Sequence, residues 1–281
     1  MRIVDFDAVV DAVTAMCGQA ACDLPADVLA ALRAAGERET GSLARGFFDQ
    51  YLRNAELAAT ERLPLCQDTG FAVFFAEMGR DATLSRGTLA EAVTEGTRRG
   101  YKQFFLRKSI VADPLFDRRN TTDNTPVILH LTQTEGDKIR LVLAPKGGGS
   151  ENMSALKMLK PSEGREGVVK FVSDAVIGAG GNPCPPTVVG VGIGGTMEYA
   201  AFLAKKALLR PVGRPSPDAR YAELEAEILK RINASGVGAQ GLGGDVTALS
   251  VHIEFHPCHL ASLPVAVNIN CHAARHAEVT L

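Results

Sequence analysis

The sequence predicts a mixed α/β or α+β fold with an amino-terminal helical region. Three observations lead there: apolar residues recur at three- and four-residue intervals from Phe6 to about Thr60, short apolar runs of strand length begin after Pro64, and glycine-rich loops sit at the strand ends. We expect one domain over residues 1–281, with a helical subregion at 1–60 and a mixed α/β subregion at 61–281.

The helical stretch is carried by Val9, Val10, Val13 and Met16, then Val28, Leu29 and Leu32, then Phe47, Tyr51 and Leu52. Breaks at Asp23-Leu24-Pro25 and Gly41-Ser42 divide it into three amphipathic helices. Phe71 to Ala76 reads as a buried strand and Leu89 to Tyr101 as a helix. The runs Val127–Thr132 and Lys138–Ala144 flank Glu135-Gly136-Asp137, the length and composition of a hairpin turn. Helices are expected at 154–159 and 165–177, and a strand at 187–193. An apolar helix at 197–209, a charged helix at 221–232 and strands at 246–254 and 263–270 complete the pattern.

Composition excludes several classes. With 46% hydrophobic and 22% charged residues the chain is too apolar for disorder. Thirty basic against thirty-two acidic residues lack the excess of positive charge that a nucleic-acid backbone demands. The start, with Asp5, Asp7 and Asp11, is unlike a secretory signal, and no window approaches the roughly 20 apolar residues of a membrane span. A cytoplasmic location follows as the expectation, and there six cysteines suit metal ligation, catalysis or burial better than disulfides.

Cys66, Cys184 and Cys271 each lie in a distinctive loop or at the end of an apolar run. Cys184 is the clearest, because Pro183, Pro185 and Pro186 prevent regular helix around its sulfur. Their wide spacing leaves open whether they meet or are separate buried hydrophobes. Cys17 and Cys22 belong to a helical stretch with no second pair, which favours burial. His252, Glu254 and His256 would share one face of a strand, with Cys258 and His259 following, so a zinc hydrolase is a rival reading. Gly190, Gly192 and Gly195 satisfy the dinucleotide-binding spacing, but about twenty residues on there is no strand ending in an acidic residue. Lys146-Gly-Gly-Gly-Ser-Glu-Asn could cradle a carboxylate with backbone amides. Arg107, Lys108, Arg118 and Arg119 supply cations suited to carboxylates in one irregular region.

Taken together, Leu63-Pro-Leu-Cys66-Gln67-Asp68-Thr69-Gly70, Lys146-Gly-Gly-Gly-Ser-Glu-Asn152, Gly181-Asn-Pro-Cys184-Pro-Pro and Asn268-Ile-Asn-Cys271 resemble the iron–sulfur domain of class I fumarate hydratases and the L-tartrate dehydratase alpha type. The resemblance is collinear from roughly Glu37 onward. It implies that Cys66, Cys184 and Cys271 ligate a four-iron, four-sulfide cluster with one iron open to substrate. It further implies that Gln67 and Asp68 lie beside a small dicarboxylic or hydroxy-acid substrate, and that Arg107, Gly148 and His259 contact it. Asp68 becomes the candidate proton donor to the leaving hydroxyl. Fumarate hydration is the first expectation and tartrate dehydration the second. Because the chain stops ten residues after Cys271, the resemblance also implies a separate beta subunit, together with pairing of two alpha chains in which His259 reaches a neighbouring site.

Overall fold

The three amino-terminal helices form where the apolar spacing places them, and the computed structural model describes residues 1–281. Along the chain run β1 (Arg2–Val4), α1 (Phe6–Cys22), α2 (Ala26–Arg38), α3 (Ser42–Glu61), β2 (Phe71–Gly79), β3 (Ala82–Leu84), α4 (Leu89–Gln103), β4 (Ile128–Thr134) and β5 (Ile139–Lys146). There follow α5 (Gly148–Glu151), β6 (Ala155–Leu159), α6 (Gly164–Ala179), β7 (Thr187–Gly194), α7 (Met197–Ala207), α8 (Ala219–Asn233), β8 (Ala248–His256), β9 (Leu263–Asn270) and β10 (Ala277–Thr280). The class is α+β. No helix is long and apolar enough to cross a membrane.

Two compact units, each discontinuous in sequence, make up the chain. The first is Met1–Leu24, Ala55–Gly148 and Arg275–Leu281; the second is Pro25–Asn54 and Gly149–Ala274. The expected helical subregion is thus shared out, α1 to the first unit and α2 to the second, with the chain crossing within α3.

In the first unit a four-stranded sheet has the order β10-β5-β2-β4. Val10 and Val13 of α1, Val93 of α4, and Phe74, Leu141 and Leu143 of the sheet form its core. Each such fully buried side chain is worth about 1.5–3 kcal/mol. Helix α4 begins at a capping box, in which Thr88 Oγ1 accepts from the Glu91 amide (3.2 Å) and Glu91 Oε2 accepts from the Thr88 amide (2.8 Å). The expected hairpin is not formed. Strand β2 lies between β4 and β5, parallel to one and antiparallel to the other. The end of β2 fills the turn instead: the amides of Gly79, Arg80 and Asp81 donate to the carbonyls of Lys138, Thr134 and Gly136.

The second unit is built on a sheet of order β6-β9-β7-β8. Residues 155–159, expected as helix, form a strand because β9 offers an antiparallel partner from Leu263 to Val267. Val172 of α6 and Ile228 and Ile232 of α8 pack with Val189, Ile253 and Ile269 of the sheet. The strand–turn–helix at the Gly190 motif is present, and its glycines have a packing reason. A Cβ on Gly190 would lie 2.1 Å from the Ala204 carbonyl oxygen, and one on Gly192 would lie 2.0 Å from that of Ala200. Helix α7 therefore rests directly on the backbone of β7, a separation that only glycine permits. Gly192→Ala is expected to destabilise the chain by about 1–3 kcal/mol through forced displacement of α7. Urea denaturation checks this, and an unchanged midpoint would contradict it.

Candidate active site

The segment Cys66-Gln67-Asp68-Thr69-Gly70 connects α3 to β2 and is held almost entirely through its backbone. The buried Tyr101 hydroxyl lies 2.9 Å from the Thr69 carbonyl and 2.8 Å from that of Gly70. Arg275 Nη2 donates to the Asp68 carbonyl (2.6 Å) and Asn124 Nδ2 to that of Gly70 (3.2 Å). Burial pushes the Tyr101 phenol above its ordinary range, which keeps it a donor. With the carbonyls so engaged, the side chains of the turn are left to face one another. Cys66 Sγ donates to Gln67 Oε1 (3.3 Å) and receives the Asp68 amide (3.4 Å). Asp68 accepts the Gly70 amide on Oδ1 (3.0 Å) and the Gly148 amide on Oδ2 (2.7 Å). Gly148 thus sits beside Asp68, although its N–H is committed to that carboxylate. Thr69 Oγ1 donates to the Arg107 carbonyl (3.1 Å), which brings the Arg107 loop to the same turn, and the exposed Arg107 is paired with no carboxylate.

In the second unit, strand pairing brings two of the sequence-predicted thiols to one end of the sheet. Cys184 lies just ahead of β7 and Cys271 follows the last residue of β9, while β7 and β9 are antiparallel with Val188 opposite Asn270. The His272 amide donates to the Cys184 carbonyl (3.2 Å), and His272 Nδ1 lies 3.0 Å from the same oxygen. Since a carbonyl only accepts, Nδ1 carries the proton. Cys184 itself has φ +54, in the left-handed region, which costs a non-glycine residue on the order of 1 kcal/mol. Its side chain is exposed between the buried Pro183 and Pro185.

Tyr51, read from the sequence only as an apolar position of α3, lies beside this pair. Its ring stacks on His272 with centroids 4.1 Å apart. Its hydroxyl donates to the Pro185 carbonyl (3.2 Å) and accepts from Gln240 Nε2 (2.8 Å). Burial, with the nearby Cys184 and Cys271 thiols adding to it, pushes the Tyr51 phenol up to about 12. Neither Tyr51, His272 nor the Tyr101, Asn124 and Arg275 supports of the other unit carried a local motif.

His259 lies on an exposed turn after β8, where its Nδ1 accepts the Ala261 amide (3.1 Å), and no bond links it to the thiol pair. The histidine group does not form a zinc site. His252 is buried and bonded through Nε2 to Ser250 Oγ (2.7 Å), Glu254 is paired with Arg210 (2.7 Å), and the exposed His256 bonds the Pro257 carbonyl (2.8 Å). Within neither unit do three or more His, Cys, Asp or Glu side chains gather at metal-holding range. Cys17 and Cys22 are buried, as expected, and burial raises the Cys17 thiol to about 12, so it stays protonated and unreactive.

The chain belongs to the fumarate hydratase family: the model of that family, Fumarate hydratase (Fumerase), matches residues 10–280. Among individual proteins, it is 43% identical over 272 residues to a Methanocaldococcus jannaschii chain provisionally named L(+)-tartrate dehydratase subunit alpha, covering 95% of each. It is 36% identical over 270 residues to the L(+)-tartrate dehydratase subunit alpha of Escherichia coli K12, covering 92% of this chain and 87% of that one. The similarity to the Shigella sonnei subunit of the same name has the same extent.

Burial, and after it the neighbouring Arg210, lowers the His252 imidazole to about 4. The unfolded chain, with an ordinary histidine, then binds more protons than the folded one between about pH 6.5 and pH 4. Stability from this residue is therefore present above that window and is lost as pH falls through it. Between pH 7 and 5 the loss should be about 2 kcal/mol. Urea denaturation at the two pH values should show His252→Gln with that much less acid sensitivity than the wild-type chain.

Proposed function

We propose that this chain is the iron–sulfur alpha subunit of a hydro-lyase acting on a small hydroxy-dicarboxylic acid, with L-tartrate as the first substrate and the fumarate–malate pair as the second. The observation that carries this reading is the similarity, over 87–95% of their length, to chains named as alpha subunits of L(+)-tartrate dehydratase. The order reverses the sequence-based expectation, which placed fumarate first, and the names of these relatives support the change. The fumarate reading is retained on the description of the family itself.

Cys66, Cys184 and Cys271 would hold a 4Fe–4S cluster. Soft thiolates are the donor set such clusters take. These three thiols are exposed or half-buried, whereas Cys17 and Cys22 are buried. Cys258, also exposed, lies outside the four motifs that carry the resemblance. When bound, a cluster with only three protein ligands supplies a Lewis acid for the substrate hydroxyl.

The chain's own groups take the remaining roles. Loss of water needs a proton at the departing hydroxyl, and Asp68 is the candidate donor because it stands in the Cys66 turn and its oxygens retain capacity beyond the two amides they accept. Gln67, exposed beside the Cys66 thiol, offers an amide to the substrate, and Gly148 fixes Asp68 where its amide now binds. Arg107, free of any carboxylate, is suited to a bidentate hold on a substrate carboxylate. His259 would act from its exposed turn at the site of a second alpha chain. The name "subunit alpha" of the relatives supports a separate beta subunit, and a reducing cytoplasm is the setting in which the thiols stay available.

Anaerobic co-expression with the beta subunit should yield protein with iron and sulfide in equal amounts and the highest kcat/KM on L-tartrate. Zinc or bound nicotinamide in place of iron and sulfide would reject the proposal, and preference for malate would select the second substrate. Asp68→Asn should keep its iron and sulfide while kcat falls by roughly 10²–10⁴. An unchanged kcat would remove Asp68 from the donor's role.

A further inference from the structure

We infer that Tyr51 and His272 are positioning residues that hold Cys184 and Cys271 together as a preformed pair of thiols. The inference rests on the proposed ligand role of these cysteines but concerns an arrangement built by the chain alone.

Backbone pairing takes Cys184 and Cys271 only to the same end of the sheet, and it does not extend to either residue. Beyond the last paired residues, Val188 and Asn270, the Cys184 backbone has left-handed φ and so leaves the extended path. His272 spans the gap, with its amide and Nδ1 both directed at the Cys184 carbonyl. Two donors on one oxygen fix the orientation of that peptide, and with it the direction of the Cys184 side chain. Since His272 is the residue next to Cys271, the same bonds set the separation of the two cysteines.

The imidazole is half-buried and would otherwise rotate about its own bonds. Tyr51 prevents this by stacking on it at an interplanar angle of 20°. Tyr51 is in turn held by its own hydroxyl, which bonds the carbonyl of Pro185, the residue after Cys184. Gln240 supplies the donor that fixes the phenol's second lone pair. The resulting circuit runs Pro185, Tyr51, His272, Cys184, and closes on adjacent residues of the chain. Supports of this kind behind metal ligands alter metal retention by roughly 10–100-fold when removed.

The test separates the pair from the cluster. In the full-length apo chain carrying Cys66→Ser and Cys258→Ser, phenylarsine oxide should capture Cys184 and Cys271 together. Both thiols give their protons, two sulfur–arsenic bonds form, and the arsenic-bound oxygen leaves as water. Capture requires two sulfurs within reach of one arsenic, so its rate reports how far the pair is preformed. Tyr51→Leu and His272→Leu should slow capture by at least about 10-fold with the circular dichroism spectrum unchanged, while His272→Asn, which keeps a donor at the position of Nδ1, should restore most of the rate. Wild-type rates in both leucine variants would overturn the inference. If Tyr51→Leu does not fold, Tyr51→Phe takes its place, and an unchanged rate there removes Tyr51 from the assignment. In the reconstituted alpha–beta enzyme, the same leucine variants should lose iron to a chelator roughly 10–100-fold faster. Rapid arsenical capture by a wild-type chain that retains no iron and sulfide would reject the cluster and leave the positioning role intact.

Discussion

The antiparallel register of β7 against β9 is the constraint on which the chemistry of the second unit rests. Val188 lies opposite Asn270 and Ile193 opposite Val265, so the residues just before one strand and just after the other are brought to a common end. A slip of one residue would exchange the buried and opposite faces of Val189, Val191 and Ile269, and the core formed with α6 and α8 resists it. The same strand pairs with β8 on its other side and carries α7 directly on its glycines. Hydrophobic burial thereby specifies the placement of two thiols that take no part in the core.

The first unit positions its residues by another means. The Cys66 turn has no strand partner, and its order comes from side chains that donate to its carbonyls: Tyr101, Asn124 and Arg275. Such bonds contribute about 0.5–1.5 kcal/mol each, and more where a charged donor is involved. Their larger effect here is geometric. By engaging the carbonyls from within, they leave the thiol, the amide and the carboxylate of consecutive residues on the accessible side.

How far all this could be read from the chain depended on whether the deciding interaction was local. The three amino-terminal helices were legible because Pro25 and Gly41 interrupt a clear helical period. Cys184 was legible as a special position because prolines surround it. Residues 155–159 were not: Ala-Leu-Lys-Met-Leu favours a helix, and only pairing with β9 makes it a strand. The false hairpin had the same origin, since nothing between Val127 and Ala144 discloses that a segment some fifty residues earlier will enter between its arms. Of the candidate site residues, Asp68 and Gly148 are joined by a bond that neither motif announced. Tyr51 looked like one more apolar residue on a helical face, because stacking on His272 is a relation across more than two hundred positions.

Strand β10 has a consequence for how the chain is made. It forms an outer strand of the first unit's sheet, pairing Ala277 to Thr280 with Leu143 to Arg140 of β5. On the ribosome those residues emerge only after the whole of the second unit's sheet. Throughout that interval β5 presents one open edge, the kind of surface that invites pairing with another chain. A nascent first unit is thus left with an unfilled sheet edge while the second unit's strands are being made, and it is filled only by residues that follow them.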